Sequence, residues 1–285
     1  MTITGKTRVC GVIGEPIEHT LSPIMHNAGF QSIGLDYVFL AFRVKPADME
    51  EAVNGMRALN IRGLNVTMPH KTAIINHLDR VDLSAQIVNS VNTVLNKENL
   101  LFGFNTDGVG ALKALKENGV ELKGRKVLLL GAGGAARAIA YALAKEADEL
   151  AVLNRTVKQA QALAKLLERS CSKKIASGSL SQNDIQINLQ DSDILINATA
   201  IGMKPKLDES PVAPKLLRKN LAVMDIVYNP LETKLAKDAK EAGAKVISGV
   251  EMLIYQGAAS FEIWTGKTAP VGVMRKAVLN QLTKV

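Results

Sequence analysis

Short continuous apolar runs alternate along this chain with longer segments whose apolar residues recur at helical spacing. "RVCGVIG" (8–14) reads as a strand ending in glycine. "SPIMHNAGFQSIG" (22–34) predicts a helix, with Ser22 as N-cap, Pro23 at the first helical position and Gly34 as C-cap. "DYVFLAFRV" (36–44) carries the β-branched and aromatic residues of a strand. A helix over 46–60, a strand over 63–68 and a hairpin over 90–105, turning at Asn96–Asn99, follow. This β-α-β-α-β rhythm predicts parallel strands with helices on both faces.

A second α/β unit is expected over 108–250. It opens with a helix at 108–119 and continues through "GRKVLLLGAGGAARAIAYALAKEA", a strand, a Gly-rich turn and an Ala-rich helix. Strands at 150–156, 193–199, 221–228 and 244–249 follow, with a helix at 157–169 and helical material between the later strands. The tail reads as two helices split by "TGKTAP"; it carries Trp264 and is expected to pack across both domains.

Composition narrows the class. At 285 residues the chain suits two domains, with 47% hydrophobic and 22% charged residues in a globular balance. Aromatics are only 4%, which predicts aliphatic cores. Cys10 and Cys171 are far apart and form no disulfide framework, so the reduced cytoplasm is the expected location. The opening residues lack a signal-type apolar region, and the longest apolar stretch, near 127–144, is broken by glycines and Arg137, so no membrane helix is expected. The formal charge of +8 fits an anionic small ligand, a nucleic acid or a solvated basic surface. The densest basic run, 112–126, has no interleaved aromatics for base stacking and reads as a solvated helix and linker.

Two groups of residues carry chemistry. Gly131, Gly133 and Ala136 stand in the G-x-G-x-x-[G/A] spacing between a strand and a helix, the context of a dinucleotide-binding turn. Gly131 allows the tight turn, Gly133 lets the backbone approach a pyrophosphate, and the helix start offers N–H groups to the anion. An NAD enzyme would place an acid at the end of the next strand. Here that strand ends in Asn154, Arg155 and Thr156, with Lys158 close behind, which favours the 2′-phosphate of NADP.

In the first half, strand ends run into small polar groups: Thr20 and Ser22, then Asn65, Thr67 and Lys71, then Asn92, then Asn105 and Asp107. Ligands of open α/β sheets sit outside the carboxyl ends of strands, and this set suits a polyhydroxylated carboxylic acid. Taken singly, Ser22 and Asp107 read equally well as helix caps, and the asparagines as turn formers. The four histidines show no metal-ligand spacing, and no metal is predicted. His19 reads as a turn residue and His26 as a helix residue; His70 has no assigned role.

The segments "GxPIxHTLSPxMHN", "NVTMPHK", "VNTV", "NTDG", "GAGGAARA", "NRT", "INAT", "YNPLET" and "GVEMLIYQGAxxFxxWTG" occur in this order over nearly the whole chain, which resembles the shikimate dehydrogenase family. The resemblance implies reduction of 3-dehydroshikimate to shikimate with NADPH, on the chorismate route to aromatic amino acids. It implies an α/β substrate domain at 1–107, completed by C-terminal helices at 251–285, and a Rossmann-type NADP domain at 108–250. Lys71 and Asp107 match the catalytic pair. Thr20, Ser22 and Tyr228 match the groups around the substrate carboxylate, and Thr67, Asn92 and Gln256 those at the ring hydroxyls. Gly131, Ala132, Gly133, Gly134 and Ala135, with Asn154, Arg155, Thr156 and Lys158, match the NADP site; Ile226 and Gly249 fall near the nicotinamide.

The chain departs from the family pattern at Thr20, where serine is usual, at Asn89–Ser90, where Gly-Ala is common, and at Gln159, where a second arginine is common. Lys71 is expected to act as general acid or, alternatively, to polarise the ketone electrostatically. Rival readings are a quinate/shikimate dehydrogenase that also uses NAD, a non-catalytic dinucleotide-binding regulator and, from charge alone, a nucleic-acid binder. The expected partner is a small-molecule substrate, with neither nucleic acid nor membrane; a homodimer is left open.

Overall fold

The computed structural model describes residues 2–283. The chain divides into two compact units, one running to Thr106 and resuming at Ile254, the other spanning Asp107–Leu253. The first contains β1 (Arg8–Gly14), α1 (Ser22–Ser32), β2 (Tyr37–Arg43), α2 (Met49–Ala58), β3 (Gly63–Val66), β4 (Arg80–Val81), α3 (Leu83–Val88), β5 (Thr93–Lys97) and β6 (Leu100–Phe104).

Its sheet has the order β2-β1-β3-β5-β6-β4. The parallel pattern holds for β2, β1 and β3, but β5 is antiparallel to both β3 and β6, so the sheet is mixed rather than parallel throughout. The β5–β6 pair is a tight hairpin: Glu98 and Asn99 take left-handed φ values of 55° and 64°, and the Asn99 N–H donates to Asn96 Oδ1 at 3.1 Å. β3 stops at Val66 rather than at 68; Thr67 and Met68 still bond to the backbone of Ile13 and Glu15 but already belong to the turn that leads into Pro69. Ser22 begins α1 instead of capping it; the cap position falls on Leu21, and the Thr20 hydroxyl accepts the Ser22 N–H at 3.3 Å.

An aliphatic cluster of Ile13, Val53, Met56, Leu64, Ile74, Val94 and Leu101 fills part of this unit. The expectation of purely aliphatic cores fails elsewhere in it. Phe30, Phe39, Phe261 and Trp264 are fully buried, and the His26 ring stacks on Phe39 at 4.4 Å between centroids. Phe30 of α1, Phe39 of β2 and Phe261 and Trp264 of the C-terminal tail form one ring cluster around His26, and Trp264 Nε1–H donates to the Val94 carbonyl at 3.0 Å.

The second unit contains α4 (Asp107–Glu117), β7 (Lys126–Leu130), α5 (Gly134–Glu146), β8 (Glu149–Asn154), α6 (Val157–Cys171), β9 (Ala176–Ser179), α7 (Gln182–Gln190), β10 (Ile194–Asn197), β11 (Ala222–Asp225), α8 (Lys234–Glu241) and β12 (Lys245–Ser248). All neighbouring pairs are parallel, in the order β12-β11-β10-β7-β8-β9. This is the doubly wound Rossmann order, with its switch point between the first and fourth strands, here β7 and β10. Its core is aliphatic, built on Leu128, Leu130, Leu153, Leu195 and Val223.

Two of its strands end sooner than their apolar runs suggest. β10 stops at Asn197 because the Asn197 side chain accepts the Thr199 N–H at 3.1 Å, and β11 stops at Asp225 because its carboxylate takes the Val227 N–H at 3.1 Å. Helix α9 (Gly249–Thr265) crosses the unit boundary in sequence, and α10 (Val271–Leu282) follows. From Ile254 the tail belongs to the first unit, where α10 packs along α1.

Candidate active site

In the first unit, Thr20, Ser22, Thr67, Lys71, Asn92 and Gln256 all lie at or beyond strand ends or on the helices behind them. The "NVTMPHK" turn is tied on three sides. The Thr67 N–H donates to the Ile13 carbonyl at 3.0 Å, the Glu15 N–H to the Met68 carbonyl at 3.0 Å, and the Val91 N–H to the Lys71 carbonyl at 2.8 Å. His70 acquires a role here. It is buried, and its Nε2 lies 2.7 Å from the Val44 carbonyl, which requires the ring to donate from that nitrogen. His70 therefore pins the turn that carries half-buried Lys71. Thr20 and Ser22 stand together, their hydroxyls 3.3 Å apart.

Asn92 is held by a buried polar network. Its Oδ1 accepts the Thr106 N–H at 2.8 Å and the Thr93 hydroxyl at 2.9 Å; its Nδ2 donates to Thr106 Oγ1 at 2.9 Å and to Gln256 Oε1 at 3.3 Å. Ser260, fully buried on α9, lies 2.7 Å from Thr93 Oγ1 and 3.2 Å from Thr106 Oγ1, accepts from Asn65 Nδ2 at 3.0 Å, and donates to the Gln256 carbonyl at 3.1 Å. Register makes this possible, since Asn65 on β3 pairs with Thr93 on β5. Thr93, Thr106 and Ser260 were not singled out from sequence. Each is a small hydroxyl with no pattern of its own, although the first two adjoin the asparagine and aspartate of "VNT" and "NTD".

Beyond this network, His26 is fully buried, and neither of its ring nitrogens, nor Asn65 Oδ1, has a hydrogen-bond partner. Burial pushes His26 down to about 3. Asp107 is buried and opens α4, as the first residue of the second unit.

The second unit holds the glycine-rich turn. Gly131 has φ of +116°, and a Cβ there would lie 2.7 Å from the Ala198 carbonyl oxygen, so both conformation and space demand glycine. Gly133 is exposed, with open space where a Cβ would stand, and it caps α5 without any side-chain bond. The Arg137 Nε in the same helix is buried without a partner, and burial lowers its pKa. Uncapped N–H groups, open space over Gly133 and a cation short of partners fit a bound pyrophosphate.

At the end of β8, Arg155, Thr156 and Lys158 are exposed. Asn154 Nδ2 donates to the Thr156 carbonyl at 3.2 Å and to Gln159 Oε1 at 2.9 Å. Two cations and no carboxylate at this strand end suit a 2′-phosphate. Ile226, Tyr228 and Gly249 also lie in this unit; burial raises the Tyr228 pKa, and a Cβ on Gly249 would lie 2.6–2.7 Å from the carbonyl oxygens of Asp225, Ile226 and Val227. Among the described residues no group of three or more His, Cys, Asp or Glu side chains could hold a metal ion, and no helix is long and apolar enough to cross a membrane.

Comparison with known proteins matches this geometry to a family. Residues 12–94 match the shikimate dehydrogenase substrate binding domain, 113–237 the shikimate / quinate 5-dehydrogenase model and 249–279 the shikimate 5′-dehydrogenase C-terminal domain. A relative from Methanocaldococcus jannaschii, named shikimate dehydrogenase (NADP(+)), is 46% identical over 99% of this chain and 100% of its own. A crystal structure of a shikimate dehydrogenase in complex with NADP+ superposes with a TM-score of 0.93 at 45% identity, covering 99% of this chain and 98% of that one. A shikimate 5-dehydrogenase from Listeria monocytogenes, solved with shikimate and NAD, gives 0.90 at 39% identity, covering 97% and 98%. Matched from end to end at these identities, the chain belongs to the shikimate dehydrogenase family.

Proposed function

We propose that this protein is an NADPH-dependent shikimate dehydrogenase, interconverting 3-dehydroshikimate and shikimate on the chorismate route to aromatic amino acids. The support that carries this reading is the end-to-end likeness to a shikimate dehydrogenase (NADP(+)). Residues 1–107, completed by 251–285, take the substrate, and 108–250 take NADP. The cytoplasm is the working location.

Reduction of the ketone needs a hydride at carbon and a proton at oxygen. Bound NADPH supplies the hydride. Lys71 donates the proton from Nζ as the carbonyl oxygen gains charge, and Asp107 is its catalytic partner. Thr20, Ser22 and Tyr228 hold the substrate carboxylate, while Thr67, Asn92 and Gln256 hold the ring hydroxyls. The turn of Gly131, Ala132, Gly133, Gly134 and Ala135 takes the pyrophosphate, and Asn154, Arg155, Thr156 and Lys158 take the adenosine phosphate. Ile226 and Gly249 border the nicotinamide.

One spectrophotometric assay tests this, pairing shikimate or quinate with NADP or NAD. Shikimate with NADP is expected to be the best pair. Turnover of quinate with NAD at an equal or higher rate would replace this reading with a quinate dehydrogenase, and no turnover with any pair would sink the enzymatic reading.

A further inference from the structure

The loop between β11 and α8 is held at both ends by polar anchors. Val227, Leu231 and Glu232 of the loop border a cavity of about 120 Å³, which Ala236 and Lys240 of α8 and Val246, Ile247, Ser248 and Gly249 also line. Asp225, at the loop's root, is 2% exposed. Its Oδ1 accepts the Val227 N–H at 3.1 Å and Asn197 Nδ2 at 2.9 Å, and its Oδ2 accepts the Thr233 hydroxyl at 2.6 Å. Thr233 in turn caps α8 by accepting the Ala236 N–H at 3.2 Å. Asn197 reaches the other way, accepting the Thr199 N–H and hydroxyl at 3.1 and 2.7 Å. One buried carboxylate therefore ties together the end of β10, the first turn of the loop and the start of α8. The Ile226 N–H, bonded to the Asn197 carbonyl at 3.0 Å, is held from the same place.

We infer that Asp225 is a positioning residue of the reaction: with Asn197 and Thr233 it sets the β11–α8 loop so that Ile226 meets the nicotinamide and Tyr228 the substrate. This rests on the functional reading above. Asp225 touches no reacting atom; it acts through the loop backbone. A cavity beside the loop leaves room for displacement, so loss of an anchor would shift the loop without collapsing the unit. A displacement of about 1 Å in a reacting group can cost about a hundredfold in rate.

Asp225→Asn keeps the shape of the side chain but replaces one acceptor oxygen with an N–H₂ group. With 3-dehydroshikimate and NADPH it is expected to lower kcat about ten- to hundredfold. The kinetic isotope effect with NADPH deuterated at the transferred position is expected to rise, because hydride transfer then limits turnover. Thr233→Val should show the same signature to a smaller degree, and Thr233→Ser should recover most of that loss. A purely structural role would lower melting temperature and the active fraction, leaving kcat per active site and the isotope effect unchanged; that result overturns the inference. If Asp225→Asn does not fold, the Thr233 pair decides. Turnover by the unmodified enzyme is the control: its absence would sink the functional reading, whereas its presence with unchanged isotope effects in the variants sinks only this proposal.

Discussion

The Thr106 backbone N–H donates to Asn92 Oδ1 at 2.8 Å, and that one bond settles which way the Asn92 amide faces. A backbone N–H can only donate, so the oxygen must point at it. Nδ2 is then the group directed at Thr106 Oγ1 and Gln256 Oε1. Asn92→Asp would put a carboxylate where an N–H₂ group is needed. We expect kcat/KM to fall by about tenfold or more, together with a destabilisation of about 1–3 kcal/mol, read by steady-state kinetics and denaturant unfolding. Ser260→Ala removes the 3.0 Å acceptor of Asn65 Nδ2 and the hydroxyl packed among Thr93 and Thr106. It should destabilise by a similar amount, and an unchanged unfolding midpoint would refute the network's structural importance.

Lys71 rides on a turn fixed by Ile13, Val44 and Val91, so replacing its side chain should leave the turn intact. Lys71→Ala is expected to reduce kcat by about 10²–10⁴-fold, the usual contribution of a general acid. Lys71→Arg keeps a charge that does not give up its proton near neutrality. If arginine restores most of the rate, the residue polarises the ketone electrostatically and does not transfer a proton.

Cofactor preference should respond to two neighbours at the end of β8. Arg155→Ala is expected to raise KM for NADPH with little effect on NADH, since only the former carries the 2′-phosphate. Gln159 is engaged with Asn154 at 2.9 Å. Gln159→Arg gives up that bond and adds a second guanidinium, which should increase the preference for NADP. Measured kcat/KM ratios for the two cofactors check both changes, and equal losses with NADPH and NADH in Arg155→Ala would remove it from phosphate recognition.

Acid stability should carry two contributions of opposite sign. His26 titrates near 3 in the fold against an ordinary 6.5. The unfolded chain takes up this proton first, so stability is lost as pH falls from 6.5 towards 3. Asp225, pushed by burial to about 6 from 3.8, works the other way. The folded state holds its proton in that window, so its contribution improves as pH falls from 6 to 3.8. His26→Leu should flatten the acid loss, and Asp225→Asn should remove the opposing slope. Unfolding free energies across pH 3–7 would read both, and identical pH profiles in wild type and His26→Leu would exclude His26 as an acid trigger.

Much of the fold is legible in the chain because its central strands are apolar and its glycines punctuate them. "KVLLLG" and "DILIN" announce themselves through unbroken hydrophobic content, which buried parallel strands require. The edge strands do not. β9 is "ASGS", half-exposed and polar, and β4 is the dipeptide "RV"; neither has enough buried surface to mark a pattern. α3, "LSAQIV", is too short to show a helical period. The missed residues Thr93, Thr106, Ser260, Asn197, Asp225 and Thr233 share one reason: each matters through a partner distant in sequence or across a turn, which periodicity cannot register.

The alternation of strands and helices, the glycine turn with its basic strand end, and the ordered motifs that place the chain in its family can all be read along the chain. These are local facts, written in spacing and residue type. What holds those residues in place emerges with folding. It set His70 against Val44, Ser260 among Asn65, Thr93 and Thr106, and Asp225 between Asn197 and Thr233. A buried polar group must find its partner in three dimensions, and Asn65 and Ser260 meet because folding brings α9 against β3.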